Sequence, residues 1–228
     1  MQRLQRALVV GAGGTLGSAL LAETLVAGRF QQVAAVAVGP LTSAMRGLQT
    51  VVLDSVPPGT DVAFIVFERA RHSNGRDDAF FQPEPEALLA IAQALFAQGV
   101  KRLLVVVPHA PALLPQALQR GFASLAEGAV AALGFEHLVF LRAAQNAGAD
   151  GAGSLLQRFA AWWLSQLRWM VPQREQPVRA VTLAAVAVQI AQALPLAARG
   201  TRVLPPELLW QAAQGDGGPA LAAWLAAP

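Results

Sequence analysis

The 228-residue chain contains no cysteine and no tyrosine, and it has a single lysine, Lys101. Without cysteine there are no disulfides, no thiolate nucleophile and no Cys-based metal site. Without tyrosine no phenol is available to pass a proton. Only three histidines are present, scattered and without a paired carboxylate motif, so a metal centre is not expected. Charged residues make up only 14% of the chain. No apolar run reaches the length of a membrane span, because prolines, arginines and glutamines interrupt each candidate. The short apolar stretch behind Arg3 and Arg6 fits a folded strand better than a signal peptide. These features point to a cytoplasmic protein.

What is present is apolar: 54% of the residues, against a net charge of +3. That excludes a disordered chain and implies a large buried core, with enough left over for a homodimer face. The length suits one α/β domain. The basic residues are scattered and aromatics do not interleave with them, so a nucleic-acid surface is not expected.

The chain is organised around Ala7-Leu8-Val9-Val10-Gly11-Ala12-Gly13-Gly14-Thr15-Leu16-Gly17. An apolar run meets a glycine-rich turn, and a helical pattern follows at once. Such a turn lets a phosphate approach backbone N–H groups at a helix N-terminus, where the helix dipole favours an anion. Gly11, Gly14 and Gly17 satisfy G-x-x-G-x-x-G. The stricter G-x-G-x-x-G fails, because Leu16 stands at its last glycine.

Apolar runs recur at 7–10, 33–38, 50–53, 61–67, 101–107 and 138–141. Helical patterns cover 15–27, 84–98, 113–133, 155–170 and 183–194. Apolar strands separated by helices predict a doubly wound parallel sheet, Rossmann-like, with helices on both faces. One domain spanning 1–228 is expected, with residues 146–228 forming a small helical C-terminal cap. Thr201–Leu204 is read there as a connecting segment.

These residues resemble the short-chain dehydrogenase/reductase superfamily, in its atypical or extended branch. The resemblance rests on Gly11-x-x-Gly14-x-x-Gly17, Asp54 closing the third strand, the strand 61–67 with its polar loop, Gly99-Val100-Lys101-Arg102, and Arg142 after the sixth strand. The stretch 67–81 is similar to the small NAD(P)-binding proteins related to the human Tat-interacting oxidoreductase. The resemblance implies a dinucleotide in the crevice at the strand C-termini. Gly11, Gly13, Gly14, Thr15, Leu16 and Gly17 would hold its pyrophosphate. Asp54 and Ser55 would lie by the adenine, and Phe67 and Arg69 along the cofactor.

The departures are chemical. The superfamily transfers hydride with a Tyr-x-x-x-Lys pair, whose expected positions here are Gln119 and Ala123. Neither residue titrates, and Lys101 enters the fifth strand from the far end. Val38-Gly39-Pro40 occupies the place of the acid that grips an NAD ribose. Arg46 or Arg69 could meet a 2′-phosphate, which tilts the expectation from NAD towards NADP. Arg69, Arg71, His72, His109 and Arg142 all follow strand C-termini. They are candidates for an anion or substrate pocket, with His109 as proton donor. The alternative is solvated arginines and a histidine bonded to local backbone. His137 is expected to be structural, and Asp77-Asp78 a solvated helix start. The stripe Leu155, Leu156, Phe159, Trp162, Trp163, Leu167 and Met170 reads as a buried helix face, with a substrate or dimer surface and an amphipathic membrane-surface helix as the alternatives. Ser18, Ser124 and Ser154 lack a nucleophile elbow. Three functions follow: a nucleotide-binding sensor or regulator with a degenerate catalytic site, an NAD(P)H-dependent oxidoreductase with a non-standard donor, or a structural partner protein that keeps the fold and no ligand, against which the intact glycine turn counts.

Overall fold

A computed structural model describes residues 5–39, 47–68, 77–109, 124–144, 178–214 and 218–226. Seven parallel strands form one sheet: β1 (Gln5–Val10), β2 (Phe30–Val36), β3 (Leu48–Val51), β4 (Val62–Val66), β5 (Arg102–His109), β6 (His137–Ala144) and β7 (Gly200–Leu204). Their order across the sheet is β3-β2-β1-β4-β5-β6-β7. The chain winds outward from β1 in one direction, then returns to β4 and winds outward in the other.

Each central strand is apolar on both faces because both faces are covered. Ala7, Val9, Val62, Phe64, Val66, Leu104, Val106, Val139 and Leu141 face one core cluster. Their alternate neighbours Leu8, Val10, Ala63, Ile65, Leu103, Val105, Leu138 and Phe140 face the other. That is the two-residue period of a strand, divided between two layers of helix. The first layer contains α1 (Gly14–Val26) and α4 (Ala180–Ala193), through Leu20, Leu21, Leu183, Ala187 and Ile190. Leu209 of α5 (Pro206–Ala213) and Leu221 and Leu225 of α6 (Gly218–Ala226) join the same cluster. The second layer contains α2 (Leu88–Ala97) and α3 (Leu125–Ala131), through Ile91, Leu95 and Val130.

Among the described residues the six expected strands and the helices expected at 15–27, 84–98 and 183–194 recur in this order; the helix expected over 113–133 starts only at Leu125 behind an extended Ser124, α5 and α6 were not expected, and two further differences stand out. Gly200–Leu204 is not a connector; it pairs with β6 from His137↔Gly200 to Leu141↔Leu204 as a seventh strand. Its physical signature is faint, since Leu204 and Arg202 are buried but Thr201 is exposed at the sheet edge. In the described part of 146–228 the chain returns to the sheet and its helical layer. Secondly, the helix expected from Glu84 opens as a 3-10 turn, Pro85–Ala87, before α2 begins. The glycine-rich loop after β6, the Trp-rich helix and positions Gln119 and Ala123 lie outside the described residues.

Candidate functional site

The reversal of winding between β1 and β4 opens a crevice at their C-terminal ends, the usual ligand position in such sheets. The glycine turn lines it, and each of its three spaced glycines is fixed by a different neighbour. Gly11 has φ +86°, and a Cβ there would stand 2.3 Å from the Val66 carbonyl oxygen. Backbone at the end of β4 therefore passes directly over the turn. Gly17 is helical, and its Cβ would stand 2.0 Å from the Gly11 carbonyl oxygen, so α1 packs tightly onto the turn that starts it. Gly14 has φ +75°, and its Cβ would meet the Glu68 carboxylate at 2.8 Å.

Glu68 is the residue that sequence reasoning passed over, lying between Phe67 and Arg69. Its Oε2 accepts hydrogen bonds from the backbone N–H groups of Leu16 (2.6 Å) and Gly17 (3.4 Å). Gly13 at the N-cap offers no side chain, and the first turn of α1 holds no acid. A carboxylate two residues past β4 therefore satisfies donors that α1 cannot satisfy itself. The signal that would have found it is topological: the residue just after β4 lies beside the residues just after β1.

The chain enters the crevice at a second point. Phe81 N–H donates to the Val36 carbonyl at 2.9 Å, and Val38 N–H donates to the Ala79 carbonyl at 2.9 Å. Ala37 and Phe80 form an antiparallel bridge. The Ala37 N–H donates instead to Val51, on the β3 side. Residues 79–81 thus run along the inner edge of β2, above the end of β1. Pro83 Cδ stands 3.2 Å from where a Gly11 Cβ would be.

The other expected site residues fall as follows. Gly13 is buried and Thr15 is exposed at the turn. Asp54 and Ser55 are exposed in the turn after β3. That turn is held by Gln98, which donates to the Leu53 carbonyl at 2.9 Å and accepts from Val56 N–H at 2.7 Å. Val38 and Val52, after β2 and β3, expose 67% and 58% of their surface, so apolar side chains stand where a ribose-binding acid would. Phe67 is buried against the α2 layer. His109 ends β5, its backbone opposite Ala144 at the crevice end of the sheet. Its side chain, together with Arg46, Arg69, Arg71 and His72, lies outside the described part.

Arg142 is 1% exposed, and both its terminal nitrogens bond the two carboxylate oxygens of Glu127 at 2.7 Å. The bidentate pair ties β6 to α3 inside the protein. It commits the Arg142 guanidinium to a protein carboxylate, where an anionic ligand was expected.

The opposite end of the sheet carries a separate charged group. Asp61 accepts from Arg6 N–H at 2.9 Å and faces Arg102 at 3.6 Å. Lys101 is exposed there beside Glu136, at 3.5 Å. His137 is 4% exposed, and its Nδ1 has no hydrogen-bond partner among the described residues. Burial holds its imidazole below the usual value, and the cations Arg102 and Arg202 push it the same way. Burial also lowers Arg102, against the opposing pull of Asp61 and Glu136. Among the described residues no group of acids and histidines is placed to hold a metal, and no helix is long and apolar enough to cross a membrane.

The chain matches no protein-family model and no curated protein. Solved structures do resemble it. UDP-glucose 4-epimerase from Brucella ovis, in complex with NAD, is 16% identical with a TM-score of 0.51, covering 88% of this chain and 77% of that one. A Rossmann-fold NAD(P)-binding family protein from Shigella flexneri is 17% identical over 84% of this chain and 86% of its own, with a TM-score of 0.49. UDP-N-acetylglucosamine 4-epimerase from Bacillus cereus is 12% identical over 93% and 82%, with a TM-score of 0.45. At these identities the likeness is one of fold, and it agrees with the sheet order: the chain has a Rossmann-like α/β fold.

Proposed function

We propose that this protein binds NAD(P) in the crevice between β1 and β4, and that it serves as a nucleotide-binding sensor or regulator with a degenerate catalytic site. The observation that carries the reading is the glycine turn: a parallel strand, three sterically required glycines and a helix N-terminus aimed at the switch point of the sheet. The adenosine would lie towards Val38, Val52, Asp54 and Ser55, and the pyrophosphate over Thr15, Leu16 and Gly17. Phe67 would act from beneath, through packing; Arg69 and His72, which follow it in sequence outside the described residues, would belong to the cofactor and anion pocket. An NADP preference rests on the missing acid after β2 and on Arg46 or Arg69 reading a 2′-phosphate. The finer likeness to the Tat-interacting group belongs to this proposal too, as do the cytoplasm and the homodimer.

The catalytic part of the reading is chemical. Reducing a carbonyl by hydride leaves an alkoxide that needs a proton. The chain has no phenol, and its one lysine is at the wrong end of the sheet. A second reading, a reductase with His109 as donor, is favoured by one observation: β5 carries that residue to the crevice end. The test is calorimetric titration of the purified protein with NAD, NADH, NADP and NADPH. The expected result is saturable binding, tighter for the 2′-phosphorylated forms. A folded protein that binds none of the four overturns the proposal.

A further inference from the structure

We infer that Glu68 is a tethered anion occupying the phosphate position of the glycine turn, so that a dinucleotide binds only by displacing it. The inference rests on the dinucleotide reading above and adds a self-inhibitory contact to it. The N–H groups at the start of α1 are the feature that makes this turn an anion site. Two of them, on Leu16 and Gly17, already donate to one Glu68 oxygen. The 2.6 Å bond from Leu16 is short for an N–H donor, in the direction that a carboxylate acceptor gives. A pyrophosphate oxygen needs the same donors from the same side. Its charge cannot share the space with a carboxylate packed against Gly14.

A different part of the chain supports the same conclusion. A dinucleotide crosses the sheet above the end of β1. Residues 79–81 pair with β2 at that level, and Pro83 sits over Gly11. The described conformation therefore fills the crevice with its own chain at both the phosphate position and the approach to β2. An intramolecular competitor lowers apparent affinity by the fraction of molecules in which it has left the site. Such a competitor suits a sensor, whose occupancy must follow cellular nucleotide levels instead of saturating.

The test titrates wild type, Glu68→Ala, Glu68→Gln and Glu68→Asp with the four dinucleotides and, separately, with inorganic pyrophosphate. Calorimetry is paired with the amide NMR shifts of Leu16 and Gly17. Glu68→Ala and Glu68→Gln should bind both kinds of probe more tightly, on the order of tenfold, as expected for removing a charge-assisted competitor. The Leu16 and Gly17 amide signals should move in the free variants and move again with pyrophosphate. Glu68→Asp keeps the charge and should stay nearer wild type. Should Glu68→Ala fold poorly, Glu68→Gln keeps the side-chain shape and carries the comparison. If wild type binds dinucleotide and neither uncharged variant binds more tightly, the competition is overturned while the dinucleotide reading stands. If no dinucleotide binds but pyrophosphate binds only the uncharged variants, the competition stands and the dinucleotide reading falls. If neither probe binds any folded variant, both are overturned.

Discussion

Arg142 and Glu127 illustrate how a side chain with functional character is absorbed by structure. In the sequence Arg142 follows the apolar run 138–141 and so reads as an anion ligand, whereas in the fold it lies within β6, opposite Val107. In the fold it is among the largest fully buried side chains. Two ions removed from water are tolerable only when they satisfy each other, as this bidentate pair does. Removing one partner takes away the bidentate counter-charge of the other while leaving it buried. Glu127→Ala and Arg142→Ala should each lower stability by about 3–5 kcal/mol, read as a drop in the urea midpoint. The double replacement Glu127→Leu/Arg142→Met should recover part of that loss, since it removes both charges of the pair together. An additive loss in the double variant would show that the pair does not act as a unit.

At the scale of elements, strand ends carry the charges and strand middles carry the packing. β4, β5 and β6 start in the group formed by Asp61, Arg102 and His137, and β1, β4 and β5 end at the crevice. His137 opens β6 in a buried, cation-rich setting that favours its neutral form. The sign of the consequence follows from linkage. The unfolded chain takes up the imidazole proton at the usual value near 6.5, the folded chain only at a lower pH. Stability is therefore full above that usual value and falls as pH drops below it, towards the lower folded value. Urea melts across this range should show wild type losing stability on acidification. His137→Gln, which cannot charge, should show a shallower loss. An identical slope in the variant would remove His137 as the cause.

Considered as a whole molecule, the protein has a Rossmann-like frame and no tyrosine for the proton-transfer pair that its sequence likeness calls for. Hydride chemistry would then have to draw its proton from His109, water or substrate. A reductase screen with NADPH against aldehydes, ketones and quinones should give no turnover above background for wild type. If a slow activity appears and is lost in His109→Ala, the reductase reading gains over the sensor reading. Robust turnover that ignores His109→Ala would contradict both. The calorimetric titration is the companion experiment, because a sensor must bind even where it does not turn over.

The sequence alone determined the class of fold and the turn at its centre. Buried parallel strands are apolar throughout, and glycines forced by a tight turn recur at fixed spacing, so both leave local marks on the chain. Ala7–Val10, Asp61–Phe67 and Gly11, Gly14 and Gly17 were legible for that reason. β7 was not, because an edge strand needs few apolar residues and is defined by its hydrogen bonds to β6. The commitments of Glu68 and Arg142 were not legible either. Which carboxylate meets which donor depends on strand order, and 51 or 52 residues separate Glu68 from the N–H groups it binds. Only the fold could decide that an acid just beyond β4 would lie on the helix that follows β1.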